Sequence, residues 1–225
     1  MRVVSSNLQH GVPNPIGRAD LDRAIEPLRA LVADVYAFQE LDRGRWRTRF
    51  QHQGAALARA LGGELVWARA KHWLWACQAN ALVVRGEVVS HEVLRLPGPG
   101  ERRVAIVATV RTRGEQWSLA TAHLSLEPAV AVWQLETTLD ALASRPEPHV
   151  LLGDLNLRLE RVAPIAAAVG WDLLDGPETI NARTGLNRRL DHVVVHAATA
   201  TDSGVARLPV SDHLAVWADL DPSAT

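Results

Sequence analysis

His149–Asn156 reads HVLLGDLN: an apolar run that ends at a glycine and then presents a carboxylate and a carboxamide two positions apart. Val150, Leu151 and Leu152 read as a buried strand, and Gly153 as a place where the backbone turns or approaches a ligand closely. Strand side chains alternate, so Asp154 and Asn156 are expected on one side and Leu155 on the other. Two hard oxygen donors facing one space suit Mg2+, which takes one or two carboxylates and lets a phosphate complete its shell. An Asn/Asp turn closing a strand accounts for the same eight residues. The remainder of the chain has to choose.

Working outward, 225 residues with 48% hydrophobic content suffice for one large core, and a single domain over residues 1–225 is expected. The formal net charge of -1 supplies no global positive field of the kind that non-specific nucleic-acid binders carry, so any such contact must be local. Among the 24 Lys and Arg residues only Lys71 is lysine. Cys77, the single cysteine, excludes an intrachain disulfide and a thiolate metal cluster. Met1-Arg2 leads straight into Val3-Val4, without a signal-peptide pattern, and no apolar run is long enough to span a bilayer. A soluble, cytoplasmic monomer is the expectation.

Short apolar runs alternate with longer helical patterns. RVVSSN and DVYAFQE read as strands, and Arg18–Val32, with Pro27 inside it, and Gln53–Leu61 as helices. Leu65–Ala68, Ala79–Val84 and Glu87–Leu94 read as strands of a meander, and Val104–Val110 with Gln116–Ala122 as a hairpin about Arg113-Gly114. Leu126–Leu142 is the longest helix, with Val130, Trp133 and Leu135 inward. Val162–Val169 is a further helix, followed by strands LDHVVV and HLAVWADL. Strands interspersed with helices, without an internal repeat, give the class α/β.

The polar residues fall at strand ends. Asn7, Glu40, His123 and Asp154 with Asn156 close their strands, whereas Asp191 and the pair Asp212-His213 begin theirs. In a mixed sheet, strands of opposite direction put one end and another's start on the same rim, so all eight residues can converge.

The ordered set SSNLQHG, FQELDR, TAHL, LLGDLN, RLDHVVV and VSDHLAVWADL resembles the endonuclease/exonuclease/phosphatase superfamily over essentially the whole chain. The resemblance implies a four-layer α/β sandwich, two mixed β-sheets packed face to face with helices outside. It also implies a Mg2+-dependent (Mn2+ possible) phosphoester hydrolase attacking in line with an activated water. Glu40 matches the metal-binding glutamate, Asn7 an asparagine that supports the metal site, and Asp212 a residue that supports a metal. Asp154 and Asn156 match Gly-Asp-x-Asn, in which the aspartate orients or deprotonates the water and the asparagine holds it or the phosphate. His213 matches the catalytic histidine with Asp191 as its carboxylate partner, and His123 the histidine that hydrogen-bonds the scissile phosphate. Arg103 matches an arginine near the substrate phosphate, and Asn80 is a substrate contact that lacks the usual preceding glycine. Thr179 lies where the family has a threonine near the site. His192 stands where an aromatic is typical, either adding a titrating group or filling its volume.

Nucleic acid is the first-choice substrate. A lipid or small-molecule phosphoester is the alternative, and a non-catalytic binding module on the same fold a further one. GDLNLRL is similar to the inositol-polyphosphate 5-phosphatase form of the motif, but RLDH replaces that group's Trp-Cys-Asp-Arg segment. Trp73 and Trp75 read as one face of the core in preference to a stacking platform, and Arg43, Arg45, Trp46, Arg47 and Arg49 as a phosphate-contact loop or a solvated one.

Overall fold

The computed structural model describes residues 1–12, 19–179 and 188–223. Among these, twelve strands form two six-stranded mixed sheets. The first contains β1 (Arg2–Asn7), β2 (Val35–Arg43), β3 (Glu64–Trp73), β4 (Ala76–Val84), β11 (Ala198–Arg207) and β12 (Leu214–Pro222), in the order β11-β12-β1-β2-β4-β3. The second contains β5 (Glu87–Arg95), β6 (Val104–Thr112), β7 (Glu115–His123), β8 (His149–Asp154), β9 (Asp172–Leu173) and β10 (Asp191–His196), in the order β5-β6-β7-β8-β10-β9. Each sheet has one parallel pair, β1 with β2 and β7 with β8.

Strands buried on both faces read as continuous apolar runs, and that is how VLL of β8 and VAIVATV of β6 are used. One side of each such strand enters a shared core that includes Val3, Val35 and Leu82 of the first sheet and Ile106, Leu119, Val150 and Val193 of the second. Trp117 fills part of this gap and is fully buried. The outer face of the first sheet packs on α1 (Asp22–Ala30) and α2 (Gln53–Leu61), and that of the second on α3 (Pro128–Ala143) and α4 (Leu159–Ala168). Four layers, helix, sheet, sheet, helix, result. No helix is long and apolar enough to cross a membrane among the described residues.

The start of the expected helix at Arg18 lies outside the described residues, and α1 begins at Asp22. The expected three-strand meander divides between the sheets. β4 already has β2 on one edge and β3 on the other, so β5 cannot pair with it and pairs with β6 instead. Gly86 serves the crossing: a Cβ there would sit 2.3 Å from the Arg111 carbonyl oxygen. On α3 the buried face is Ala131, Leu135, Thr138, Leu139 and Leu142, a helical repeat that puts Leu135 inward as expected but turns Trp133 to solvent and leaves Val130 half-buried. Trp73 and Trp75 are not core either. Trp73 ends β3 and Trp75 lies in the turn to β4, where both are exposed.

Three buried carboxamides pin the sheets together. Asn7 of β1 donates to Asp154 of β8 (3.0 Å), Gln39 of β2 to the Thr121 hydroxyl of β7 (3.0 Å), and Asn80 of β4 to the Val104 carbonyl of β6 (2.9 Å). A buried amide without a partner costs about 1–3 kcal/mol, so each of these bonds selects one alignment of the layers.

Candidate active site

The rim where β1, β7 and β8 end, and β10 and β12 begin, gathers the polar residues expected there; Glu40, expected to close its strand, instead lies inside β2, which stays paired with β4 as far as Arg43. β8 stops at Asp154, and Asn156 follows in a left-handed turn (φ 50°) with its backbone N–H on Asp154 Oδ1 (3.1 Å). Strand alternation therefore does not align the two side chains. The turn sets the direction of the Asn156 side chain, whose amide nitrogen is held on the carbonyl of Leu124 (3.0 Å), the residue after His123. Gly153 is likewise not a turn residue. A Cβ there would lie 2.2 Å from the Ala122 carbonyl oxygen, so glycine permits β8 to close on β7 and brings His123 into register with Asp154.

Glu40 is aimed by an irregularity. Between the pairs Phe38–Ala81 and Leu41–Ala79, two residues of β2 oppose the single Asn80 of β4. At this bulge Glu40 adopts φ 55°, a conformation that side chains rarely take and that clusters at functional sites. Its Oε1 accepts from Asn7 Nδ2 (3.2 Å), and the same nitrogen donates to Asp154 Oδ2 (3.0 Å). Asn7 keeps this orientation because its Oδ1 accepts the Gln9 N–H (3.0 Å). It thus turns its NH2 toward the site and tethers two carboxylates from different sheets.

Two histidines face Asp154 in opposite charge states. His123 Nε2 lies 3.4 Å from Asp154 Oδ2 and its Nδ1 3.9 Å from Glu40 Oε1. Burial, against the attraction of Asp154 and with Arg103, His213 and Lys71 adding, pushes its pKa down to about 3, so it is neutral. His213 Nδ1 lies 2.7 Å from Asp191 Oδ2 and its Nε2 4.0 Å from Asp154 Oδ2. Burial opposes its charge, but Asp191, through charge and hydrogen bond, and then Asp154 and Asp212, overcome this and push it up to about 10. Burial raises the Asp154 carboxyl, with the flanking histidines and Asn7 pulling the other way.

Asp191 pairs with His213, while Arg189 reaches Asp175 and the Leu174 carbonyl. Thr179 Oγ1 accepts the backbone N–H groups of Leu190 and Asp191 (both 3.1 Å), and its carbonyl accepts that of Leu214, fixing the partners of this ion pair. Arg103 is buried with Nη1 on the His123 carbonyl (3.5 Å) and Nη2 near Glu101 (3.4 Å), which also meets Lys71. Asn80 is spent on the bond between the sheets. His192 is fully buried with Nε2 at the Leu157 carbonyl (2.8 Å), and burial takes its pKa down to about 4, so it fills volume as a neutral ring. Asp212 is half-buried next to His213.

His10 was not singled out in the sequence. Its Nε2 lies 3.2 Å from Glu40 Oε2 and its Nδ1 3.4 Å from Asp42 Oδ1, and Asp42 is in turn held by Arg47. Ser211 was missed too: its hydroxyl donates to the Asn7 carbonyl (2.6 Å) and accepts the His213 N–H (3.0 Å). Both fall inside the segments SSNLQHG and VSDHL, which was the available signal.

The donor set fits a hard divalent cation. Glu40 and Asp154 bring carboxylate oxygens to one amide, and an Asp191 carboxylate oxygen lies within 4.8 Å of one of Asp154, whereas His213, protonated against Asp191, has no lone pair to offer. The only sulfur nucleophile, Cys77, is buried.

The pKa directions make a stability prediction for the metal-free protein. The His213 contribution is complete below the unfolded value of 6.5 and is lost as pH rises toward 10, and the raised Asp154 acts in the same sense. His123 and His192 do the reverse, lowering stability as pH falls from 6.5 toward 3 and 4 because the unfolded chain takes protons that the fold refuses. Urea denaturation in EDTA is expected to show an alkaline decline between pH 6.5 and 10 that His213→Asn largely abolishes; an unchanged slope in that variant contradicts the assignment.

Comparison with known proteins agrees with this architecture. A solved endonuclease/exonuclease/phosphatase from Beutenbergia cavernae superposes with TM-score 0.81 at 24% identity, covering 100% of this chain and 72% of that one. TDP2 from D. rerio, complexed with a single-strand DNA product, gives 0.75 at 17%, with 98% of each chain covered. A mannosyl-6-phosphatase from Bacteroides thetaiotaomicron gives 0.72 at 15%, covering 98% of this chain and 99% of that one. Among curated proteins none matches. The model of the Endonuclease/Exonuclease/phosphatase family matches residues 4–213, and with this span, this fold and this rim the chain belongs to that family.

Proposed function

We propose that the protein is a Mg2+-dependent phosphodiesterase that hydrolyses its substrate by in-line attack of water, with nucleic acid as first-choice substrate. The observation that carries the reading is the single Asn7 amide joining Glu40 and Asp154, flanked by one neutral and one protonated histidine. When bound at Glu40, with Asp212 in support, the cation supplies positive charge against the non-bridging phosphate oxygens.

The chain's own groups perform the remaining steps. Asp154 is a buried carboxylate whose raised pKa makes it a stronger base, and it orients the attacking water and takes up its proton. Asn156 holds the water or the phosphate. His123, neutral, donates a hydrogen bond to the phosphate, and His213, kept charged by Asp191, adds positive charge and a proton at an oxygen. The Arg103 guanidinium has a buried Nε without a partner and meets the substrate from the β6 side.

The nucleic-acid preference rests on the surface beside Glu40. Arg43, three residues on along β2, leads into a loop where Trp46 and Phe50 are exposed. This loop meets the β3–β4 turn, in which Trp75 is exposed and the Arg45 guanidinium lies 4.1 Å from the centre of the Trp73 ring. Exposed indoles interleaved with arginines suit bases and phosphates. The exposed Leu74 at the tip of the same turn favours the second reading, a lipid phosphoester.

The test is hydrolysis of bis-p-nitrophenyl phosphate, plasmid DNA, single-stranded DNA and phospholipid vesicles, with Mg2+ or Mn2+ and with EDTA. Metal-dependent turnover with single-stranded DNA cleaved at least tenfold more efficiently than vesicle lipid is expected. Dominant lipid head-group release supports the second reading, and no turnover with any divalent ion supports a binding module.

A further inference from the structure

The strand pair that supplies Asp154 and Asp191 carries a second cluster at its opposite end. β8 and β10 pair Asp154 with Asp191 at one end and His149 with His196 at the other. Five residues of extended chain, about 17 Å, separate the two ends. Glu147 lies just before β8 and joins the two histidines: one ring nitrogen of each and a carboxylate oxygen of Glu147 all lie within 4.8 Å of one another.

Hydrogen bonding fixes which nitrogens are available. His149 is 2% exposed, and its Nε2 lies 2.8 Å from the Arg145 carbonyl oxygen. A carbonyl only accepts, so Nε2 carries the proton, and Nδ1 is left as a buried lone pair with no partner. His196 repeats the arrangement. Its Nδ1 lies 3.0 Å from the Gly170 carbonyl and therefore donates, so Nε2 turns a lone pair toward Glu147 Oε1 at 3.2 Å. Two acceptors at that distance repel unless a positive charge lies between them. A proton on His196 relieves that contact but leaves His149 Nδ1 unsatisfied, whereas a cation accepting from all three groups resolves both.

The surroundings hold the rings ready. Trp171 stacks on His149 (centroids 5.1 Å apart, planes 2° apart) and on His196 (5.5 Å and 17°). The imidazole centroids are 5.7 Å apart. Metal-bound histidines are commonly oriented in this way, with the far ring N–H on a carbonyl. Glu147 is more than half exposed and free to swing inward as the remaining ligand.

From this geometry we propose that Glu147, His149 and His196 form a second metal site, selective for Zn2+-class ions, at the end of β8 and β10 remote from the active site. Two imidazoles and one carboxylate are a borderline-soft donor set, which suits zinc with a water in the fourth position and suits Mg2+ poorly. The bound ion clips the turn after α3 to β10.

The test is a Zn2+ titration of the full chain by calorimetry, after EDTA treatment and with millimolar Mg2+ present to fill the oxygen-rich site, repeated with Co2+ by visible absorption. Wild type is expected to take up one equivalent of Zn2+ and to show the intense bands of four-coordinate cobalt. Glu147→Gln and His196→Asn are expected to bind at least tenfold more weakly and lose those bands, with Glu147→Gln, at a position more than half exposed, keeping the metal-free melting temperature of wild type. Absence of the Zn2+ equivalent in wild type, or its retention in both variants, overturns the proposal.

Discussion

Exchanging Asp154 for asparagine is expected to lower kcat by about 10³-fold while leaving the metal-free protein as stable as wild type or more so. The loss follows from position: Asp154 is the carboxylate that both histidines and the Asn7 amide face, and removing a positioned base costs about 10²–10⁴ in rate. The stability follows from desolvation. Burial penalises the charged form, and an isosteric amide removes that penalty while keeping an oxygen for the Asn156 N–H. Its NH2 would then oppose the Asn7 NH2, so part of the gain is offset. Turnover of the model diester and urea denaturation in EDTA, measured together, check both halves. A kcat within tenfold of wild type would remove Asp154 from the chemistry.

Gly153→Ala is expected to destabilise the protein by about 1–3 kcal/mol and to reduce activity at least tenfold, although it deletes no chemical group. The added methyl meets the Ala122 carbonyl oxygen at 2.2 Å, backbone against backbone in the centre of a sheet, and neither strand can yield without separating β7 from β8. The separation displaces His123 from Asp154, whose backbones are paired in register directly beside the glycine. Thermal melting and kcat on the same samples provide the measurement, and a variant that melts like wild type would show that the strands tolerate the contact.

How much of this was readable from the chain depends on whether the signal was local. The helix Gln53–Leu61 was legible to the residue, because its apolar period and the terminal Gly62 are both in the sequence. The hairpin about Arg113-Gly114 was legible for the same reason. The division of β4 and β5 between sheets was not, since an apolar run does not state which edge it joins. Trp73 and Trp75 resemble alternating core residues in the sequence, yet β3 ends at Trp73, so the alternation has no strand to act on beyond that point. At the site, Glu40, Asp154, Asp191 and His213 were named from strand ends and family motifs, and the structure brings them together. The bulge that turns Glu40 inward, and the placing of His10 against it, depend on a two-against-one pairing with Asn80 that only the assembled sheet defines.

Asn7 and Glu40 stand on one sheet and Asp154 on the other, so the groups of the proposed site straddle the seam of the sandwich rather than belonging to either half. On the proposed function, turnover gauges the gap between the layers. An added methylene at Leu119 or Val150, each four residues back along its strand from His123 or Asp154, would register as lost rate before it registered as lost cooperativity of melting.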